Sequence, residues 1–218
     1  MSRAIFFDLD GTLVDTSGDI LASLSHAARE VGYRSAEFAR NLIGLPVRSI
    51  FEQAIQGLSE DDLLALESSF RQHHDNQPMV HWKPYDGLDE LLGFLHENAL
   101  RYYVVTNRPR SGVVNLIKSG FSTIPEDQFF CLGELGSDSK GSLLGEVLRQ
   151  ECLIRESCLL FGDHYGDLSA GQSQGILSYY CSYGFGNLGY GQNSHDPLLT
   201  VSSLWNVVRE IRSFCRIL

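Results

Sequence analysis

The run FFDLDGTLVDTS at residues 6–17 ends an apolar stretch in two aspartates one residue apart, Asp8 and Asp10, with Gly11 and Thr12 directly behind them. Carboxylates at the end of a buried run are expensive unless a metal, a cation or a reaction that uses them compensates. Two later apolar runs also end in polar groups. RYYVV leads into Thr106 and Asn107, and SCLLF leads into Gly162 and Asp163, with Asp167 one turn further on. Lys140 opens the helical pattern that precedes the second of these. Ligands of an open parallel sheet bind outside the carboxyl ends of its strands. The strand-end carboxylates Asp8, Asp10 and Asp163, a hydroxyl and an ammonium are therefore expected on one edge. Such oxygen donors suit a hard cation, and Mg²⁺ prefers a few carboxylates together with a phosphate.

The elements that must position these groups follow from periodicity. Residues 3–9 are short and apolar and close on a glycine turn, as a buried strand does. Thr16 or Ser17 can cap a helix through DILASLSHAAREV that stops at Gly32. AEFARNLIG, PVRSIFEQAIQG and SEDDLLALESSFRQHHDN follow with helical spacing, the last opening on a near capping box of Ser59 and Asp62. The pattern then changes to alternating helix and strand: GLDELLGFLHEN, LRYYVVTN, PRSGVVNLIKSG, QFFCL, KGSLLGEVLRQE and SCLLF. GILSYYCSYGFGNLGYG reads as a strand entering a glycine-rich loop, and VSSLWNVVREIRSF as a final helix. Alternation of this kind implies an α/β fold, a Rossmann-like parallel sheet with helices on both faces. The expected division is a core from residues 1–15 and 83–218, with an inserted helical cap over 16–82. VDTSG and HWKPYDG are the expected hinges.

Composition narrows the function. The chain of 218 residues carries a formal charge of −10 and has no Lys/Arg run able to track a phosphate backbone, which argues against nucleic acid as a partner. Its apolar runs are far short of a membrane span. The N-terminus reaches charge too early for a signal peptide. Five cysteines, scattered and without a CxxC pair, read as reduced thiols, so a cytoplasmic location is expected. His73 and His74 lack a third ligand at metal spacing and read as part of a solvated helix face. GFGNLGYG follows no nucleotide-binding pattern and reads as a loop.

Taken singly, each candidate has an ordinary explanation: a turn at Asp10-Gly11, a strand exit at Thr106-Asn107, a solvated helix start at Lys140. Their order is what carries information. DLDGT, a strand-terminal Thr, a Lys and GDHYGD resemble the four motifs of the haloacid dehalogenase superfamily of phosphatases. YDGLDELLGFLHENALRYYVVTNRP is similar to its phosphoglycolate phosphatase-like branch. His164 stands where that family usually has a small residue such as Ser. The resemblance implies a small helical cap after the first motif and an aspartyl-phosphate mechanism. Asp8 would be the nucleophile and Asp10 the acid/base. Thr106 and Lys140 would hold the phosphoryl oxygens. Mg²⁺ would lie among Asp8, the Asp10 carbonyl and Asp163, with Asp167 orienting Lys140 or a metal-bound water. Gly11, Thr12 and Asn107 would shape the phosphate site, while Arg48 and Arg108 would contact an anionic substrate. The implied partner is a small phosphorylated metabolite, 2-phosphoglycolate being the first choice, handled by a monomer or homodimer. Two alternatives stay open on the same residues: a sugar phosphomutase, and a phosphometabolite-binding protein without turnover.

Overall fold

The computed structural model describes residues 3–186 and 199–217. The part of GFGNLGYG beyond Gly186 lies outside the described residues. The chain opens with β1 (Ala4–Phe7), every residue of which is buried, and then makes a two-residue strand, β2 (Val14–Asp15). Three helices follow: α1 (Ser17–Val31), α2 (Val47–Ala54) and α3 (Glu60–Asn76). A second two-residue strand, β3 (Lys83–Pro84), pairs antiparallel with β2, so the outgoing and returning chain run side by side.

The remainder alternates: α4 (Leu88–Glu97), β4 (Arg101–Thr106), α5 (Arg110–Lys118), β5 (Phe129–Cys131), α6 (Lys140–Gln150), β6 (Cys158–Gly162), α7 (Tyr165–Gln174) and β7 (Leu177–Cys181). A short β8 (Thr200–Val201) and α8 (Leu204–Ile217) end it. The main sheet has the order β5-β4-β1-β6-β7-β8, and all of its pairings are parallel. Both faces are covered, which is why β1 and β6 read as unbroken apolar runs rather than alternating ones. One apolar cluster joins β1, β4 and β6 to α4, α5 and α8; another fills the opposite face beneath α6.

The helical segment has its own apolar cluster, built on Leu24, Phe51, Leu66 and Phe70. Met79 already belongs to the cluster of the sheet, and the Trp82 indole stacks edge-on against Phe121, so the chain rejoins the α/β unit just before β3. The capping box of Ser59 with Asp62 forms, and Gly32 ends α1 in the left-handed conformation.

Two local expectations fail. AEFARNLIG is not a helix; it holds only a 3-10 turn at Arg40–Leu42. Gly44 at φ +103° and Pro46 break the pattern, and the segment becomes a loop lying over the end of the sheet. His74 does not lie on a solvated face. It is buried against Phe70, with Nδ1 beside the Ser23 hydroxyl at 3.2 Å. Burial, helped by the charge of Arg108, pushes its imidazole down to about 3, so it is neutral. His73 stacks on His26, with its Nδ1 3.1 Å from the Ser23 hydroxyl.

Candidate active site

The order of strands puts the switch of topology around β1. The chain runs out through β4 and β5 on one side and returns through β6 and β7 on the other. Ligand crevices form at such a point. In register, Phe7 faces Val104 of β4 and Phe161 of β6, so Asp8, Thr106 and Asp163 leave neighbouring strands at one edge. The Asp8 amide donates to the Phe161 carbonyl at 2.9 Å, which fixes the point of exit.

Lys140 reaches this edge from the first turn of α6, capped by Ser139 and Ser142. A lysine there opposes the helix dipole. Its position is explained by its partners: the buried Nζ donates to Asp8 Oδ1 at 2.6 Å and Asp167 Oδ1 at 2.5 Å. Burial pushes its ammonium down, but the two carboxylates outweigh it and hold it charged. Gly162 makes the approach of Asp167 possible, since a Cβ there would lie 2.3 Å from the Asp167 Cβ. His164 and Asp167 form the capping box of α7: the Gly166 amide donates to His164 Nδ1 at 3.0 Å, and the His164 amide to Asp167 Oδ2. His164 thus serves as the side-chain cap of α7.

Asp163 is held by a loop that sequence reading passed over. Its Oδ2 accepts the amides of Phe185 at 3.1 Å and Gly186 at 2.7 Å. A side chain at Gly11 (φ +90°), Gly184 or Gly186 would collide with Asp163. The one available signal was the repeated glycine after a strand, which by itself marks only a loop. Thr16 was also missed as a site residue. It does not cap α1; its hydroxyl donates to Asp10 Oδ1 at 2.6 Å.

Asp10 turns away from the other carboxylates. Arg108, almost fully buried, donates Nη2 to Asp10 Oδ1 at 2.6 Å and Nε to Oδ2 at 3.1 Å. Burial pushes the Asp10 carboxyl up, yet the charge and hydrogen bonds of Arg108, joined by Thr16, bring it below the ordinary value. The Thr106 hydroxyl accepts the Arg108 amide at 3.0 Å and faces the same cavity as Asn107. Thr12 is fully buried; its carbonyl accepts the Tyr183 hydroxyl at 2.9 Å, and its own hydroxyl has no partner among the described residues. Arg48 is not brought to the site. On the outer face of the helical unit it forms a bidentate pair with Glu60, with Glu52 also in reach.

These groups surround a cavity of about 170 Å³, roofed by Ile20, Ile43, Gly44 and Leu45 from the helical unit. A wider cleft of about 1000 Å³ beside β5 lacks any such convergence of carboxylates and lysine. Asp8, Asp163 and Asp167 can present oxygens within 4.8 Å of one another, whereas the Asp10 carboxylate stays with Arg108. Burial together with Asp167 and Asp10 pushes Asp8 up to about 7 despite Lys140, and burial with Asp8 and Asp167 raises Asp163 as well. Crowded, under-neutralised carboxylates with hard oxygen donors have the chemistry of a divalent-metal site.

The sequence matches the profile of the haloacid dehalogenase-like hydrolases over residues 5–180, and the chain belongs to that family. It is 27% identical over 214 residues to the phosphoglycolate phosphatase of Aquifex aeolicus, covering 95% of both chains. It is 30% identical over 188 residues to the 5'-nucleotidase of Pseudomonas aeruginosa, covering 84% of both. Its fold superposes on a haloacid dehalogenase-like hydrolase from Streptococcus pneumoniae with a TM-score of 0.78 at 21% identity, over 96% of this chain and 98% of that one. Within the family the chain falls in the phosphoglycolate phosphatase-like branch, and it is a phosphatase-type hydrolase of phosphoric monoesters. Among the described residues no helix is long and apolar enough to cross a membrane.

Proposed function

We propose that the protein hydrolyses a small phosphomonoester, of the size of 2-phosphoglycolate, through an aspartyl-phosphate on Asp8 with Mg²⁺ as its cofactor. The observation that carries this reading is Lys140, buried at the strand edge and bound to both Asp8 and Asp167 beside a cavity also lined by Asp10, Thr106 and Asp163. A purely binding site has no use for a nucleophile and an acid/base together.

In the first half-reaction an Asp8 oxygen attacks phosphorus and the ester oxygen leaves with a proton from Asp10. In the second, Asp10 takes a proton from water, which attacks the acyl phosphate and frees phosphate and Asp8. Lys140 and the Thr106 hydroxyl bind the equatorial oxygens, where charge gathers in the transition state. Asp163, held by the Phe185 and Gly186 amides, and Asp8 would hold Mg²⁺, with Asp167 close by. When bound there, the ion offsets the repulsion between the carboxylates and a phosphate dianion. Arg108 keeps Asp10 ionised, the form that activates water. To act as the acid, Asp10 must loosen that pair and take up a proton. The helical segment serves as a cap, and the paired strands β2 and β3 as its double hinge.

The test is phosphate release from a panel of small phosphomonoesters with and without Mg²⁺. Turnover should require the metal, and Asp8→Asn should lower it by about 10³-fold or more. Equal rates for wild type and variant would sink the nucleophile assignment. Net transfer to an added sugar phosphate instead of to water would make the enzyme a mutase.

A further inference from the structure

Resting on the phosphatase reading, we infer that the substrate is the phosphate ester of a short, uncharged alcohol, and that the site selects against a second anionic group on the leaving side. All Lys and Arg residues of the chain lie among the described residues, so the cations available to the cavity can be traced. Of these residues, Lys140 alone lines it, and Lys140 already holds Asp8 and Asp167. Arg108 lies below, 5% exposed, with its guanidinium engaged by both oxygens of Asp10 and its Nη1 against the Met79 sulfur. A substrate carboxylate could reach it only by displacing the acid/base. Arg48 faces outward to Glu60. Arg40, in the loop that forms the roof, donates to Asp15 at 2.8 Å and lies over the Phe185 ring.

Among the described residues the lining on the leaving side carries no Lys or Arg: Ile20, Ile43 and Leu45 come from the cap and Phe185 from the core, with Asn107 and His164 as polar neighbours. Four carboxylates, Asp8, Asp10, Asp163 and Asp167, confront two cations, Lys140 and Arg108. One divalent metal would balance that set. The phosphate dianion already leaves the site negative, and a further carboxylate or phosphate would sit against apolar walls with no counter-charge.

His164 gives the polar end of a small alcohol something to bind. Its Nδ1 accepts the Gly166 amide, so the neutral ring carries its proton on Nε2. That edge faces Gly44 of the roof, where a Cβ would lie 2.7 Å from Cδ2 and 3.3 Å from Nε2. That N–H is a neutral donor, able to serve a hydroxyl without supplying the counter-charge that a desolvated carboxylate needs. The cavity, at about 170 Å³, has room for a phosphoryl group and a short chain.

A matched pair of esters tests this: 2-phosphoglycolate and 2-hydroxyethyl phosphate, which differ chiefly in carboxylate against hydroxymethyl. With Mg²⁺ present, kcat/KM for 2-hydroxyethyl phosphate should exceed that for 2-phosphoglycolate by about tenfold or more. Leu45→Arg, checked for folding by circular dichroism, should narrow or reverse that ratio by giving the roof a cation. Faster hydrolysis of 2-phosphoglycolate by wild type would overturn the inference while leaving the phosphatase reading intact. Should none of the esters be hydrolysed, both fall together. The wild-type ratio decides the matter even if Leu45→Arg does not fold.

Discussion

Among the described residues Arg108 and Asp10 form the most buried ion pair outside the Lys140 cluster, and the energetics of the pair are asymmetric. The guanidinium side chain is 3% exposed while the carboxylate side chain is 20% exposed, so the arginine carries most of the desolvation. Removing Asp10 would strand a buried cation. Removing Arg108 would strand a partly solvated anion and open a cavity beside Met79. Arg108→Ala should therefore destabilise the fold by about 2–4 kcal/mol, toward the lower end of what breaking a buried pair costs. Urea denaturation monitored by circular dichroism reads this directly; a loss below about 0.5 kcal/mol, in the range of surface substitutions, would show that Asp10 does not depend on the pair. The same substitution frees Asp10 from its strongest anchor, so kcat should respond more than KM.

At the scale of elements, the point of interest is how the helical unit is tied to the sheet. Asp19, in the first turn of α1, is buried, and its carboxylate accepts the amides of Val80 and His81 on the returning chain at 2.8 and 3.1 Å. Gly18 permits that approach, because a Cβ there would lie 2.6 Å from the His81 Cβ. The two crossings between the units are thus pinned by β2–β3 pairing and by one carboxylate. Asp19→Ala leaves two backbone donors without their acceptor and should cost about 2 kcal/mol. Because those donors sit in the connecting segment, limited proteolysis should shift toward residues 77–82 before the core is cut. Unchanged cleavage there would mean that the paired strands hold the connection without Asp19.

For the molecule as a whole, pH and metal act through the same carboxylates. In metal-free protein, burial and neighbouring acids raise Asp8 to about 7 and raise Asp163 too, while the unfolded chain ionises both near the ordinary value of about 4. The folded state then binds more protons than the unfolded one, so stability falls as pH rises through about 7. Buried His74 acts with the opposite sign. Its folded value of about 3 lies below that of the unfolded chain, and stability is lost as pH drops below about 6.5. Asp10, held low by Arg108 against its burial, contributes stability that is complete by about pH 5 and adds no slope above it. Between about pH 4 and 6.5 the two acids outweigh His74, so metal-free protein should lose stability as pH rises from about 5 to 8, and Mg²⁺ should stabilise it more at about pH 8 than at about pH 6. Denaturation midpoints across pH, with chelator and with Mg²⁺, test this. A metal effect independent of pH would separate the ion from Asp8 and Asp163.

The sequence by itself determined the alternation of strand and helix and the carboxylates at strand exits. Both are local signals: buried parallel strands must be apolar throughout, so the residue at which charge appears marks the end of the strand and the edge where ligands bind. Asp8, Thr106, Lys140 and Asp163 were legible for that reason, each attached to an element that periodicity could place. Only the tertiary structure decided what lies far apart along the chain. Arg108 grips Asp10 from 98 positions away, and the amides of Phe185 and Gly186 hold Asp163 from 22 and 23. Arg48 turned out to serve Glu60 rather than the cavity, and AEFARNLIG became a roof loop instead of a helix. Side-chain direction and loop course depend on which surfaces meet when the helical unit folds back over the sheet. Propensity and spacing describe a segment alone; the meeting of surfaces belongs to the packed molecule.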